Sequence, residues 1–150
     1  MAFAAPSLKG RALRLLSQRE HSRAELERKL SRHEVEPGSL SRALDELAAK
    51  DFISEARVVQ SVLNQRASRV GAARVKQELA HKGIAPEAIA EAVASLRDTE
   101  LPRALEVWRR RFGTLPVDAA ERTRQARFLL ARGFSADVVA KTLKSSADND

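Results

Sequence analysis

Apolar residues recur at spacings of three and four along the chain: at Leu40, Ala43, Leu44, Leu47 and Ala48; at Ile89, Ala92, Val93 and Leu96; and at Leu101, Ala104, Leu105, Trp108 and Phe112. Each set forms a single stripe on a helix, so each helix has one face to bury. Sustained alternation of apolar and polar positions is missing, and so are Asn-Gly and Asp-Gly hairpin turns. The 26 alanines favour helix further, and the chain reads as all-α. Chemistry marks the helix ends. Ser22 with Glu25 fits a capping box, and Pro37 and Pro86 sit where a first-turn proline is tolerated. Gly83, Gly113 and Gly133 follow helical runs, where a left-handed residue closes a helix, while Asp118 and Ser135 fit N-caps. The pattern predicts nine short helices, near 9–19, 22–32, 37–50, 54–68, 72–82, 86–97, 101–112, 118–131 and 135–144, with a frayed end over 145–150.

The nine helices fall into an internal repeat. Leu30-Ser31-Arg32-His33-Glu34-Val35 is followed by Pro37, Leu40 and Leu44, and Leu79-Ala80-His81-Lys82-Gly83-Ile84 by Pro86, Ile89 and Val93. Leu129-Leu130-Ala131-Arg132-Gly133-Phe134, followed by Val139 and Leu143, completes a period of 49 and then 50 residues. Three modules of three helices result, over 1–51, 52–98 and 99–144, with 145–150 as a flexible tail. A single module has a thin core, so neighbouring modules are expected to share buried surface in an elongated array.

Charge follows the same period. The chain carries 27 Lys+Arg against 20 Asp+Glu, a net +7. Net charge is +5 over 1–32, −3 over 33–51, +4 over 52–82, −3 over 83–100, +5 over 101–132 and −1 over 133–150. The first two helices of each module are therefore basic, and stacked modules would present a recurring basic stripe. Arginine supplies 20 of the 27 cations, which suits planar pairing with phosphate or carboxylate. With six aromatics and no tyrosine, a base-stacking platform for single strands is poorly supplied.

Several chemistries are closed. Without cysteine there is no disulfide framework, thiolate zinc site or cysteine nucleophile. His21, His33 and His81 have no ligand-spaced partners and read as ordinary surface histidines, so no metal is expected. No glycine-rich phosphate loop, G-x-S-x-G elbow or distinctive carboxylate pair is present, so neither an enzyme nor a cofactor is expected. No apolar run is long enough for a membrane-spanning helix, and Met1 to Gly10 lacks the apolar stretch of a secretory signal; a cytosolic protein is expected. A helix-turn-helix reading would place the last helix of each module in the major groove. Asp45 and Glu46 in 37–50, and Glu87 and Glu91 in 86–97, argue against that placement.

Three blocks carry a resemblance. The first is Ala12-Leu13-Arg14-Leu15-Leu16-Ser17 with Glu20-His21-Ser22-Arg23-Ala24-Glu25-Leu26 and Lys29-Leu30. The second is Arg57 followed by Gly71, Arg74, Val75, Glu78, Leu79, Lys82, Gly83 and Ile84. The third is Ala104-Leu105, Trp108, Gln125, Arg127-Phe128-Leu129 and Arg132-Gly133-Phe134-Ser135. With them the chain resembles the RecX family, cytoplasmic bacterial regulators of the RecA recombinase, over nearly its whole length. It departs in the middle, with Ser54-Glu55, Val58 and Val70 where the family often has an acidic pair and aromatics, and Ala72 where it usually has proline. The resemblance implies three tandem three-helix repeats, no catalytic activity, and binding along the groove of the RecA filament that inhibits strand exchange and coprotease function.

The expected interface rests on charge. It comprises Arg66, Arg69, Arg74, Lys76 and Lys82 around the break at Gly71, then Arg109, Arg110 and Arg111 after Trp108, with Arg122 and Arg124. Trp108 and Phe112 themselves read as core. The expected partner is the RecA filament, engaged by a monomer, with single- or double-stranded DNA reached through phosphates as a further contact. The alternative reading is a non-specific architectural DNA-binding protein.

Overall fold

The computed structural model describes residues 5–148. Among them, nine α-helices follow one another and no strand occurs: α1 (Leu8–Gln18), α2 (Arg23–Leu30), α3 (Ser39–Ala49), α4 (Glu55–Arg66), α5 (Ala72–His81), α6 (Pro86–Arg97), α7 (Glu100–Arg111), α8 (Ala119–Ala131) and α9 (Ala136–Asp148). A 3-10 turn, Ser31–His33, follows α2. Because α9 reaches Asp148, 145–148 of the expected frayed tail are helical; 149–150 lie outside the described residues.

Most of the expected caps form. The Ser22 hydroxyl accepts the Glu25 N–H and the Glu25 carboxylate accepts the Ser22 N–H, each at 3.1 Å, completing the capping box. Asp118 accepts from the Glu121 N–H at 2.8 Å and Ser135 from the Val138 N–H at 3.2 Å, and Pro86 opens α6.

Pro37 does not sit in a first turn. Helix α3 starts two residues later, from Gly38 with a φ of 86°. The cause lies upstream, at the exit from the second helix of the repeat. Gly83 and Gly133 close α5 and α8 with φ of 74° and 92°. Glu34 occupies that position in the first repeat, where a side chain disfavours the left-handed conformation, and the chain leaves α2 through the 3-10 turn instead. As a result Val35 is 96% exposed, whereas its counterparts Ile84 and Phe134 are buried.

The described residues divide into two compact units, one holding the chain up to Ser61 with the turn His81–Ile84, the other Val62–Ala80 with Ala85 onward. In the first, α1 packs on α2 and α3 around Ala12, Leu26, Leu30, Leu40, Leu44 and Leu47. Each fully buried leucine there contributes about 1.5–3 kcal/mol. The turn His81–Ile84 is held on α2: the Ser22 hydroxyl donates to the Lys82 carbonyl, and Arg28 Nη1 donates to the His81 carbonyl at 2.8 Å.

In the second unit α7 packs on α8 and α9 around Ala104, Val107, Trp108, Leu129, Phe134, Val139 and Leu143. The start of α5 docks on the turn that closes α8. The Gly71 N–H donates to the Arg132 carbonyl at 2.8 Å, and the Ala72 N–H to the buried Glu100 carboxylate at 3.2 Å. Arg103 donates to the carbonyls of Ala67, Val70 and Leu96 at 2.7–2.9 Å, tying the segment after α4 to the end of α6.

Candidate functional site

The last turn of α7 and the face of α8 beside it build the most organised basic surface in the second unit. Its foundation is a buried amide. Trp108 is 6% exposed, as its place in the apolar stripe predicts, and its indole N–H donates to Gln125 Oε1 at 2.8 Å. The Gln125 NH2 group donates in turn to the Thr114 carbonyl at 3.0 Å and to Glu121 Oε1 at 3.2 Å. With both ends of the amide satisfied, its burial costs little, and it fixes the loop between α7 and α8.

That loop begins at Phe112, which meets Phe128 of α8 edge-on, with ring centroids 5.3 Å apart and planes at 83°. Three guanidinium groups sit over the two rings. Arg111 lies 5.3 Å from Phe112 and 5.4 Å from Phe128, Arg124 lies 5.1 Å from Phe112, and Arg132 lies 4.8 Å from Phe128. Each stack contributes about 0.5–1 kcal/mol at such positions. Stacking uses the face of a guanidinium, so the N–H edges of Arg111 and Arg132 stay free for an anion. Arg124 also forks Glu121 with two bonds of 2.9 Å, which raises the Arg124 pKa and lowers that of Glu121. Arg111 and Arg132 face no carboxylate within ion-pair distance among the described residues.

The other charge-selected residues have varied surroundings. Arg109 and Arg110 share Glu106, at 3.8 and 3.1 Å, so consecutive arginines fan around α7 and only Arg111 reaches the rings. Arg66 pairs with Glu78 at 3.1 Å. The Arg74 guanidinium donates to the Ala131 carbonyl at 2.8 Å, within the contact between α5 and the end of α8. Arg69, Lys76 and Arg122 are exposed. Lys82 belongs to the first unit, half-buried, with its ammonium 3.3 Å from Glu25. The structure thus brings Arg111 and Arg124 together and adds Arg132, which net charge did not single out. Phe128, four residues before Arg132 and therefore on the same helical face, was the available signal.

One histidine departs from expectation. His21 is buried, 1% exposed, with Nδ1 3.1 Å from the Arg19 carbonyl and Nε2 3.0 Å from the Lys29 ammonium. Burial pushes its pKa down, so the ring is neutral, donating from Nδ1 and accepting at Nε2. Among the described residues no group of three or more His, Asp or Glu is placed to hold a metal ion, and no helix is long and apolar enough to cross a membrane.

Comparison with known proteins places these elements in a lineage. Family models for the first, second and third three-helix domains of RecX match residues 9–47, 54–93 and 98–143. The regulatory protein RecX of Leptothrix cholodnii is 55% identical over 138 residues, 92% of this chain and 88% of that protein. Its counterpart in Herminiimonas arsenicoxydans is 45% identical over 150 residues, covering 100% of this chain and 99% of that one. The crystal structure of RecX from Lactobacillus salivarius shares the fold, with a TM-score of 0.76 at 20% identity over 93% of this chain and 94% of that one.

Proposed function

The chain belongs to the RecX family, and from that premise we propose that it is a cytoplasmic regulator that binds the RecA filament on DNA. Bound there, it inhibits the recombinase, ATPase and coprotease activities and so modulates recombination, repair and the SOS response. It does so by binding, without catalysis of its own. The observation that carries this reading is the trio Arg111, Arg124 and Arg132 held over Phe112 and Phe128. Ring stacking fixes the direction of these side chains before a partner arrives, which lowers the ordering cost of meeting an anionic surface. Arg69, Lys76, Arg109, Arg110 and Arg122 add charge to the same unit, Arg66 and Arg74 support it through the bonds described above, and Lys82 adds a cation to the first unit. Weak contacts from several basic modules on one chain reinforce each other once the first is made, which suits a repeating filament.

Charge reversal tests the reading. Arg111→Glu with Arg132→Glu should raise the concentration needed to inhibit RecA by about tenfold or more, with helical circular dichroism unchanged. Undiminished inhibition at low salt would remove the ring-stacked arginines from the interface. Binding to DNA alone at inhibitory concentrations, falling with salt at a log-log slope of about −0.9 per phosphate contact, would instead support the architectural reading.

A further inference from the structure

The first unit carries a second cationic feature, outside the surface proposed above. Helix α1 and the segment from Arg28 to His33 enclose a groove of about 570 Å³. One wall presents Arg11 and Arg14, one turn apart on α1, and the other presents Arg28, Lys29 and Arg32. No acidic side chain lines it. Elsewhere in this unit Lys9, Arg19, Arg23, Arg57 and Lys82 each face a carboxylate within 4 Å. The five groove cations make no such ion pair among the described residues, so the groove concentrates positive charge that the fold leaves uncompensated.

The cations are also held in place. Arg28 donates one N–H to the His81 carbonyl, Lys29 donates to His21, and Arg32 Nε donates to His33 Nε2 at 3.2 Å. These bonds leave further N–H donors on each group free. Partial burial, with the charges of Arg11 and Arg32, pushes the His33 pKa down, and the neutral ring supplies an N–H donor at Nδ1. The lining also includes the exposed Pro6 and the half-buried Leu15, which add apolar surface beside Gln18, while Leu30 beneath them belongs to the core.

We propose that this groove binds an acidic peptide segment of a partner protein, with carboxylates on the arginine walls and an apolar side chain on Pro6 and Leu15. Four guanidiniums offer the fork geometry that carboxylates accept in pairs. A phosphodiester strand would satisfy the walls equally but gain nothing from an apolar contact, and the lining has no aromatic ring on which a base could stack. The same 3-10 turn that distinguishes the first repeat carries Arg32 and His33 into the groove, so the site is particular to that repeat.

The test uses the whole chain and no recombinase, and so stands apart from the filament reading. Fluorescence anisotropy would follow a labelled peptide, acetyl-EDELDE-amide, at low salt, beside the same peptide with serine for leucine and a thymidine 12-mer. The acidic peptide should bind more tightly than both. Arg14→Glu with Arg32→Glu, both exposed, should weaken it by about tenfold or more without loss of helical circular dichroism. Equal binding by the double variant, no binding by the parent, or tighter binding of the 12-mer would overturn the proposal, the last in favour of a phosphate track. Equal affinity for the serine peptide would remove the apolar contact from it.

Discussion

Single side chains hold unusual responsibility in this small fold, and Glu25 is the clearest case. Its carboxylate takes the Ser22 N–H, the Arg19 guanidinium at 2.6 Å and the Lys82 ammonium at 3.3 Å. Burial alone would raise its pKa, but the bonds from Arg19, Ser22 and Lys82 outweigh it and hold the carboxyl at about 2, against an ordinary 4.5. A depressed folded pKa contributes stability that is fully present above about 4.5 and is lost as the pH falls toward 2. Glu25→Gln should therefore cost about 1–2 kcal/mol at pH 7 and flatten the acid limb of a stability profile followed by circular dichroism. Identical profiles for the two proteins would contradict the assignment. His21 acts in a separate window: with its pKa lowered by burial, stability begins to fall once the pH drops below 6.5. Gln125 is the counterpart in the second unit. Gln125→Leu strands the Trp108 indole N–H and the Thr114 carbonyl, at a cost of about 1–3 kcal/mol. Trp108 is the one tryptophan, so its emission should shift in that variant and shift less in Gln125→Glu, which keeps the acceptor. Unchanged emission and thermal midpoint in Gln125→Leu would refute the role given to the amide.

At the scale of elements, the hydrophobic period and the caps made the helices legible, because both are local properties of the chain. Leu30, Leu79 and Leu129, aligned by the repeat, are all buried at or near the ends of α2, α5 and α8. What the sequence concealed depends on approach between distant residues. Glu34 in place of the closing glycine was visible, but its consequence, a 3-10 turn and a displaced start for α3, required the competing conformations to be compared. Gly71 reads as a helix break, yet its reason is tertiary: a Cβ there would lie 2.3 Å from the Gly133 carbonyl oxygen, where neither backbone can yield. Gly71→Ala should lower the thermal midpoint through a loss of at least about 1–3 kcal/mol, whereas Ala73→Gly nearby should cost no more than about 1 kcal/mol. Equal midpoints for the two variants would dismiss the close approach. The candidate surface divides in the same way. Charge counting found Arg111 and Arg124, but which arginines stack on rings, which share Glu106 and which tie backbone carbonyls is decided by pairings that net charge does not encode.

For the whole molecule, the proposed function is regulation by binding, in which basic three-helix repeats would engage a nucleoprotein filament and slow its chemistry. The most direct measurement is DNA-dependent ATP hydrolysis by RecA on single-stranded DNA, with this protein added before or after filament assembly and its DNA binding measured alone. Regulation by binding predicts loss of hydrolysis at concentrations where binding to bare DNA is slight, and stronger inhibition on early addition if filament growth is the step blocked. Unchanged hydrolysis beside salt-sensitive binding to bare DNA would contradict it.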